Sequence, residues 1–202
     1  MVSKRILIVG ATGTIGRAVV QQIAGRHEVI PVGRTRGDYQ VNITDSASIG
    51  ALFDKVGKVD AIVSAAGDLH FGPLAQMTSE HFQVGLNSKL LGQVALALMG
   101  QHFVNDGGSI TLTAGTVSDE PIRFGANAST VNAALEGFVR GAAVELPRGI
   151  RINAVSPSVL EESMASFGPF FPGIEPLPGR RVALGYVRSI EGVQTGRVYR
   201  MA

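Results

Sequence analysis

The stretch that decides the fold lies near the start of the chain and reads Arg5-Ile-Leu-Ile-Val-Gly-Ala-Thr-Gly-Thr-Ile-Gly-Arg17. Its apolar, β-branched beginning is typical of a buried parallel strand. Glycines at 10, 13 and 16 follow, and a helical pattern covers 14–24. This order predicts a tight turn whose backbone approaches a pyrophosphate at the helix N-terminus; the alternative is a tight turn that binds nothing. The predicted dinucleotide contacts are Gly10, Thr12, Gly13, Thr14, Ile15, Gly16 and Arg17.

Strand-like and helix-like patterns alternate along the rest of the chain. Short apolar runs lie at 27–32, 39–43, 61–64, 109–113, 151–155 and 197–199, and helical patterns at 46–54, 79–103, 127–146 and 179–190. Alternation of this kind predicts βαβ units with right-handed crossovers. We therefore expect residues 1–202 to form a single α/β domain, a Rossmann-like, doubly wound parallel sheet flanked by helices.

The composition excludes several classes of protein. The chain has 202 residues, of which 45% are hydrophobic and 17% charged, so it is too apolar for a disordered protein. A net charge of +2 makes nucleic acid an unexpected partner. The absence of cysteine excludes thiolate metal sites, and the scattered histidines show no metal-ligand spacing. We expect a cytoplasmic protein without membrane segments or a signal peptide, because no apolar run approaches roughly 20 residues.

The end of the second predicted strand carries a clue to the kind of dinucleotide. It reads Gly33-Arg34-Thr35-Arg36, with no carboxylate to hold the ribose 2′-hydroxyl of NAD. Arginine at this place accommodates a 2′-phosphate, since its planar fork matches phosphate oxygens. Arg34 and Thr35, with Arg17 as a second positive charge, therefore predict NADP(H). The alternative for Arg34 is a solvated loop charge.

One segment interrupts the alternation. Residues 167–179 read FGPFFPGIEPLPG, which is too rich in proline and glycine for the interior of a helix or strand. Long irregular loops in compact domains are often lids or binding loops. We expect residues 164–180 to form a lid or substrate loop whose phenylalanines line an apolar site. Coverage of the core or of a subunit interface is the alternative.

These motifs, in this order, resemble the short-chain dehydrogenase/reductase family along nearly the whole chain. Thr14 stands where the family usually has its middle glycine, and Asn42 where it has an adenine-contacting Asp. Ser64-Ala-Ala-Gly67 resembles the Asn-Asn-Ala-Gly that follows the fourth strand, and Arg151-Ile-Asn-Ala-Val-Ser-Pro157 the nicotinamide-facing sixth strand. The resemblance implies further cofactor contacts from Asn42, Ile43, Ser64, Ala65, Ala66, Gly67, Pro157, Val159 and Ser163.

The usual catalytic residues of that family are missing. Alignment on Ala133-Ala-Leu-Glu-Gly-Phe138 places Asn132 at the family's Lys and Ala128 at its Tyr, and no tyrosine occurs between Tyr39 and Tyr186. The family's serine falls on or near Gly115, which leaves Thr113 as a nearby hydroxyl. The chain thus resembles an atypical subgroup that lacks the Tyr-x-x-x-Lys site.

A lysine stands where the family has its fourth catalytic residue, an Asn three residues before a glycine. Alignment on Gly92 places Lys89 there, with Asn87 as the alternative in a shifted register. Our hypothesis is that Lys89 reaches the nicotinamide ribose or protonates a carbonyl oxygen, because desolvation lowers a lysine pKa toward neutrality. The alternatives are a surface lysine or a subunit contact. Thr113 and Asn132 complete the catalytic candidates.

Two classes of function remain open at this point. The first is an NADP(H)-dependent oxidoreductase that acts on a small apolar carbonyl or unsaturated compound. The second is a catalytically lapsed NADPH-binding sensor or scaffold protein. For either, small apolar residues on the helical patterns at 79–103 and 127–146 predict a homodimer or homotetramer.

Overall fold

The computed structural model describes residues 2–202 and contains one seven-stranded parallel sheet in the order β3-β2-β1-β4-β5-β6-β7. The strands are β1 (Arg5–Val9), β2 (Glu28–Gly33), β3 (Tyr39–Gln40), β4 (Val59–Ser64), β5 (Val104–Thr113), β6 (Arg151–Pro157) and β7 (Val198–Met201). The chain builds outward from β1 to β3 and then returns to the other side of β1. This confirms the doubly wound α/β prediction and places the switch point at the carboxyl ends of β1 and β4.

The helices cover both faces of the sheet. They are α1 (Thr14–Ile23), α2 (Ser46–Val56), α3 (Ser79–Gly85), α4 (Gly92–Gly100), α5 (Ala126–Ala142), α6 (Met164–Phe167) and α7 (Gly179–Glu191). Alternate residues of β1 point to opposite faces: Ile6 and Ile8 pack with α1 and α7, whereas Leu7 and Val9 pack with α2, α4 and α5. Burial on both faces explains why the strands read as continuous apolar runs. None of the helices within residues 2–202 is long and apolar enough to cross a membrane.

The predicted helix at 79–103 is wrong in one important respect. The helical run is interrupted between α3 and α4 by a π-helical segment, Leu86–Leu91. A π turn inserts an extra residue into the helical repeat, and such insertions are frequent at functional sites. The periodicity of apolar residues does not reveal the insertion, because the pattern resumes in α4. Lys89 lies within this segment.

Several other predicted bounds differ from the structure, three of them for a visible reason. The strand at 39–43 ends at Gln40, because the Asn42 side chain accepts a hydrogen bond from the Thr44 backbone and begins a turn. The helix at 127–146 ends at Ala142, shortly before Pro147. The proline-rich segment contains two short helical pieces, α6 and a 3-10 turn at Gly168–Phe170. Pro169 fits the start of that turn, where no backbone donor is needed.

Candidate active site

The glycine turn after β1 brings the backbone of Gly10 close to that of Ala65 and to the start of α1 at Gly16. Gly10 has a φ of 86°, and a Cβ on this residue or on Gly16 would collide with backbone atoms. The Gly13 N–H donates to the Gly10 carbonyl at 3.0 Å, and no side chain caps α1. The first N–H groups of α1 therefore have no side-chain acceptor, and such N–H groups at a helix start are the kind of site where anions bind. Arg17 stays at the turn, where its Nη1 donates to the Thr12 carbonyl at 2.8 Å.

A cleft of about 250 Å³, the outer cleft, opens beside this turn at the carboxyl ends of β1 and β2. Nine of the predicted contacts line it: Gly10, Thr12, Gly13, Arg34, Asn42, Ile43, Ala65, Ala66 and Gly67. The exposed Arg34 guanidinium forms no ion pair with any residue of 2–202. Thr35 lies outside the cleft, and its carbonyl accepts from Gln40 Nε2 at 3.1 Å.

A second cleft of about 460 Å³, the inner cleft, lies at the carboxyl ends of β4, β5 and β6. It shares Ala65, Gly67 and Asp68 with the outer cleft, so the two join around the end of β4. The predicted residues that line it are Thr14, Ile15, Ala65, Gly67, Lys89, Thr113, Pro157, Val159 and Ser163. Ser64 is fully buried at the end of β4 and borders neither cleft.

Lys89 crosses from the π-helical segment into the inner cleft. Its stem passes Gly67, where a Cβ would lie only 2.6 Å from the Lys89 Cα. Its Nζ donates to the Ala114 carbonyl at 3.1 Å and pairs with no carboxylate of residues 2–202. Burial without a counter-charge lowers the pKa of Lys89 to about 8. The structure thus brings the Lys89 side chain to the lining of the inner cleft.

Sequence analysis missed Gln93, which stands one turn after Lys89. Its Nε2 donates to the Thr113 carbonyl at 3.0 Å, and its Oε1 accepts from the Thr113 N–H at 2.9 Å. Gln93 is fully buried, and its amide pairs with both backbone groups of Thr113 at the end of β5, as the backbone of a neighbouring strand would. The signal that could have found it is an amide four residues after Lys89 in the otherwise apolar stretch of α4.

The Thr113 hydroxyl is not available to a ligand in the inner cleft. Its hydroxyl donates to the Ser64 carbonyl at 2.5 Å and accepts from the Tyr186 hydroxyl at 2.6 Å. Tyr186 belongs to α7 and is fully buried, which raises its pKa far above the ordinary value. The hydroxyl of Thr113 is thus committed to the packing of α7 on the sheet, and the geometry gives no support to a catalytic role.

The lining next to the Ala114 carbonyl lacks polar side chains at the positions where the sequence resemblance places the usual catalytic residues. Ala128 and Gly115 line the inner cleft together with Val117. Asn132 is buried behind Gly115, where a Cβ would lie 3.0 Å from the Asn132 Nδ2. Its Oδ1 has no hydrogen-bond partner among the described residues. The structure therefore does not bring Asn132 into the cleft with Lys89.

The inner cleft has an aromatic margin. Phe71 lines it and packs on Phe167 and Phe170 of the 164–180 segment, with ring centroids 5.7 and 5.6 Å apart. Phe167 and Phe171 also line the cleft. Among residues 2–202, no group of three or more His, Asp or Glu side chains is arranged to hold a metal ion. The cleft is thus apolar apart from Lys89, Asp68 and a few hydroxyls.

Comparison with known proteins agrees with this architecture. A family model described as enoyl-(acyl carrier protein) reductase matches residues 8–199. The crystal structure of the protein lin1944 from Listeria innocua is 47% identical, with a TM-score of 0.97 over 99% of this chain and all of that one. L-xylulose reductase of Mesocricetus auratus is 26% identical over 96% of this chain and 86% of its own. The 3-oxoacyl-[acyl-carrier-protein] reductase FabG of Escherichia coli is 29% identical over 80% of this chain and 75% of its own.

The family model covers nearly the whole sheet, including the glycine turn after β1 and strand β6, two of the segments on which the sequence resemblance rests. The chain belongs to the short-chain dehydrogenase/reductase family of oxidoreductases.

Proposed function

We propose that this protein is an NADP(H)-dependent oxidoreductase that reduces a small apolar carbonyl or unsaturated compound without the usual Tyr and Lys relay. The observation that carries the proposal is the joining of the two clefts at the end of β4, with Lys89 at the inner side. A dinucleotide laid along both clefts would place its phosphates at the glycine turn and its reactive ring beside Lys89. The names of two relatives, both reductases of carbonyl compounds, support the reaction class.

The outer cleft favours NADP(H) over NAD(H). Arg34 lines the cleft without an ion-pair partner among residues 2–202, so its guanidinium is available to a 2′-phosphate. The turn fits the pyrophosphate, because backbone atoms fill the space that side chains at Gly10 and Gly16 would need. Bound NADPH supplies the hydride.

We assign the substrate carbonyl oxygen to the Lys89 side of the inner cleft. Gly115, Val117 and Ala128, which line the same cleft, offer no side-chain donor, whereas the Lys89 ammonium does. An ammonium with a pKa of about 8 is largely protonated at neutral pH and donates a proton more readily than an ordinary lysine. In this role Lys89 stabilises the developing alkoxide and then protonates it.

The 164–180 segment is proposed as the lid or substrate loop, and its two ends are held together. The Glu161 N–H donates to the Leu177 carbonyl at 2.9 Å, and the Leu177 N–H donates to the Val159 carbonyl at 3.0 Å. The Glu162 carboxylate accepts from the Gly179 N–H at 2.9 Å. These bonds close the base of the segment, while Phe167 and Phe171 extend over the inner cleft.

A lapsed NADPH-binding sensor or scaffold protein is the second candidate. It is favoured by the bare wall at Ala128 and Gly115, which supports placing this chain in an atypical subgroup without the Tyr-x-x-x-Lys site. Both candidates need the dinucleotide, and only the first needs turnover. A panel of small ketones and enones with NADPH therefore separates them.

We further propose a cytoplasmic homodimer or homotetramer. Val84, Leu91 and Leu98 are exposed at intervals of seven residues along the α3–α4 run, beside a groove of about 820 Å³. Such a stripe is typical of a helix–helix contact. We expect Leu91→Glu to lower the mass measured by light scattering to that of one chain. Leu74→Glu, an exposed leucine outside the groove, is the matched control, and a monomeric wild type contradicts the proposal.

The first experiment is a fluorescence titration with NADPH and, separately, with NADH. We expect NADPH to bind at least about tenfold tighter, a difference of about 1.4 kcal/mol, and Arg34→Ala to remove the difference. Lys55→Ala is the control, since Lys55 is exposed on α2 and borders neither cleft. Equal affinities of the wild type for both nucleotides would contradict the assignment of Arg34.

A further inference from the structure

We propose that the Lys89 amine is also a nucleophile that captures small apolar ketones in the inner cleft as a reversible imine. This reaction goes beyond hydride transfer and shares with the proposed function the inner cleft and Lys89, but needs no nicotinamide. It needs a neutral lysine, a binding space next to it and no competing carboxylate. The structure bears on each of these three conditions.

The position of Lys89 is fixed at both ends of its side chain. The stem lies against Gly67, and Nζ donates one hydrogen bond to the Ala114 carbonyl. That single acceptor leaves the rest of the amino group facing the cleft that Lys89 lines. The nitrogen is therefore presented to whatever occupies the space between Phe71 and Val117.

The surroundings of Lys89 raise the fraction of its amino groups that is neutral. Of the elements packed around Lys89, the loop after β4 contributes Asp68, and neither the loop after β5 nor α5 contributes a titratable group to the cleft lining. Asp68 forms no ion pair with Lys89 and instead accepts a hydrogen bond from Ser88 Oγ at 3.2 Å. With a pKa lowered from 10.5 to about 8, Lys89 has about 300 times more neutral amine at pH 7 than an ordinary lysine. Desolvated lysines in apolar pockets form Schiff bases for this reason.

The chemical step is balanced without any further reagent. The Nζ lone pair attacks the carbonyl carbon of the ketone, and the carbonyl oxygen takes up a proton to give a carbinolamine. Loss of the second N–H proton and of the hydroxyl group as water then leaves the C=N bond. Addition of water reverses the sequence, so the ketone is held but not consumed.

The test uses cyclohexanone and sodium cyanoborohydride with the full chain at pH 7, without nicotinamide. Cyanoborohydride reduces an imine to a stable secondary amine, which peptide mass mapping assigns to one lysine. The chain has four lysines, and Lys4, Lys55 and Lys58 lie outside the inner cleft, so each is an internal control. We expect the adduct at Lys89 to exceed that at Lys55 by more than about tenfold, because Lys89 has the larger neutral fraction.

Two further measurements keep the outcome interpretable. Labelling of Lys89 should rise with pH to a midpoint near 8, whereas labelling of the exposed Lys55 should continue to rise beyond it. Lys89→Arg, which keeps the charge but cannot form an imine, should lose the major adduct. The wild-type peptide map decides by itself if that variant does not fold.

An adduct spread evenly over the four lysines, or absent from Lys89, overturns the proposal. Its failure is distinguishable from failure of the proposed function, since the labelling mixture contains no NADPH. Labelling without NADPH turnover would retain the imine and remove the reductase. Turnover without labelling would retain the reductase and remove the imine.

Discussion

The outer and inner clefts are built in different ways. The outer cleft is built around one continuous piece of backbone, the glycine turn that leads from Gly10 into α1, and Arg34 adds a charge. The inner cleft is made largely of side chains from seven separate stretches of the chain, among them those of Lys89, Phe71 and Phe167. A site made of contiguous backbone tolerates few changes, because every residue there sets the path of the chain. A site assembled from distant side chains can exchange its chemistry while the fold remains.

The largest expected effect comes from a substitution in the glycine turn of the outer cleft. Gly16→Ala should weaken NADPH binding by more than about 100-fold, about 2.8 kcal/mol, because the added Cβ collides with the Gly10 carbonyl and opens the turn. Calorimetric titration measures the affinity, and circular dichroism checks the fold. Gly25→Ala is the matched control, since no atom lies within 4 Å of a Cβ there. Wild-type affinity in Gly16→Ala would show that the turn does not hold the nucleotide.

The second prediction concerns Lys89, the cation among the described residues that line the inner cleft. Lys89→Met should reduce turnover of a responsive ketone by about 100-fold, in the range of a lost general acid, and leave NADPH affinity intact. In the wild type, the protonated form is the active one, so kcat should fall as the pH rises through about 8. A rate profile from pH 6 to about 10 measures this. Unchanged turnover in Lys89→Met would leave the lysine without a catalytic role.

The difference between the clefts also explains which parts of the fold and of the candidate site the sequence predicts. The β1 strand, the turn and α1 are contiguous, so their structure and the predicted ligand class follow from local pattern alone. Arg34 is predicted for the same reason, since it directly follows a recognisable strand. Lys89 is predicted only through its spacing from Gly92, and its contact with Ala114 depends on a π turn that no apolar pattern reveals.

The missed features share one physical cause, which is long separation along the chain. Gln93 and Thr113 meet across 20 residues, and Thr113 and Tyr186 across 73. A hydroxyl at the end of a strand has the same sequence signature whether it faces the cleft or the opposite layer. The direction is decided by strand register and by the helix packed beneath, here α7. Thr113 was therefore predicted as catalytic, although its hydroxyl is bonded to Ser64 and Tyr186.

The smallest expected effect separates packing from chemistry at the end of β5. Thr113→Val replaces the hydroxyl by a methyl group of nearly equal volume. The Ser64 carbonyl and the Tyr186 hydroxyl then lose their buried partner, which should lower the free energy of unfolding by about 1–3 kcal/mol. Tyr186→Phe leaves Thr113 still donating to Ser64, so it should cost less, about 1 kcal/mol. Urea denaturation measures both values. If Thr113 only fastens α7 to the sheet, both variants keep wild-type turnover per folded molecule, whereas a large loss of kcat in Thr113→Val alone would return this hydroxyl to the inner cleft.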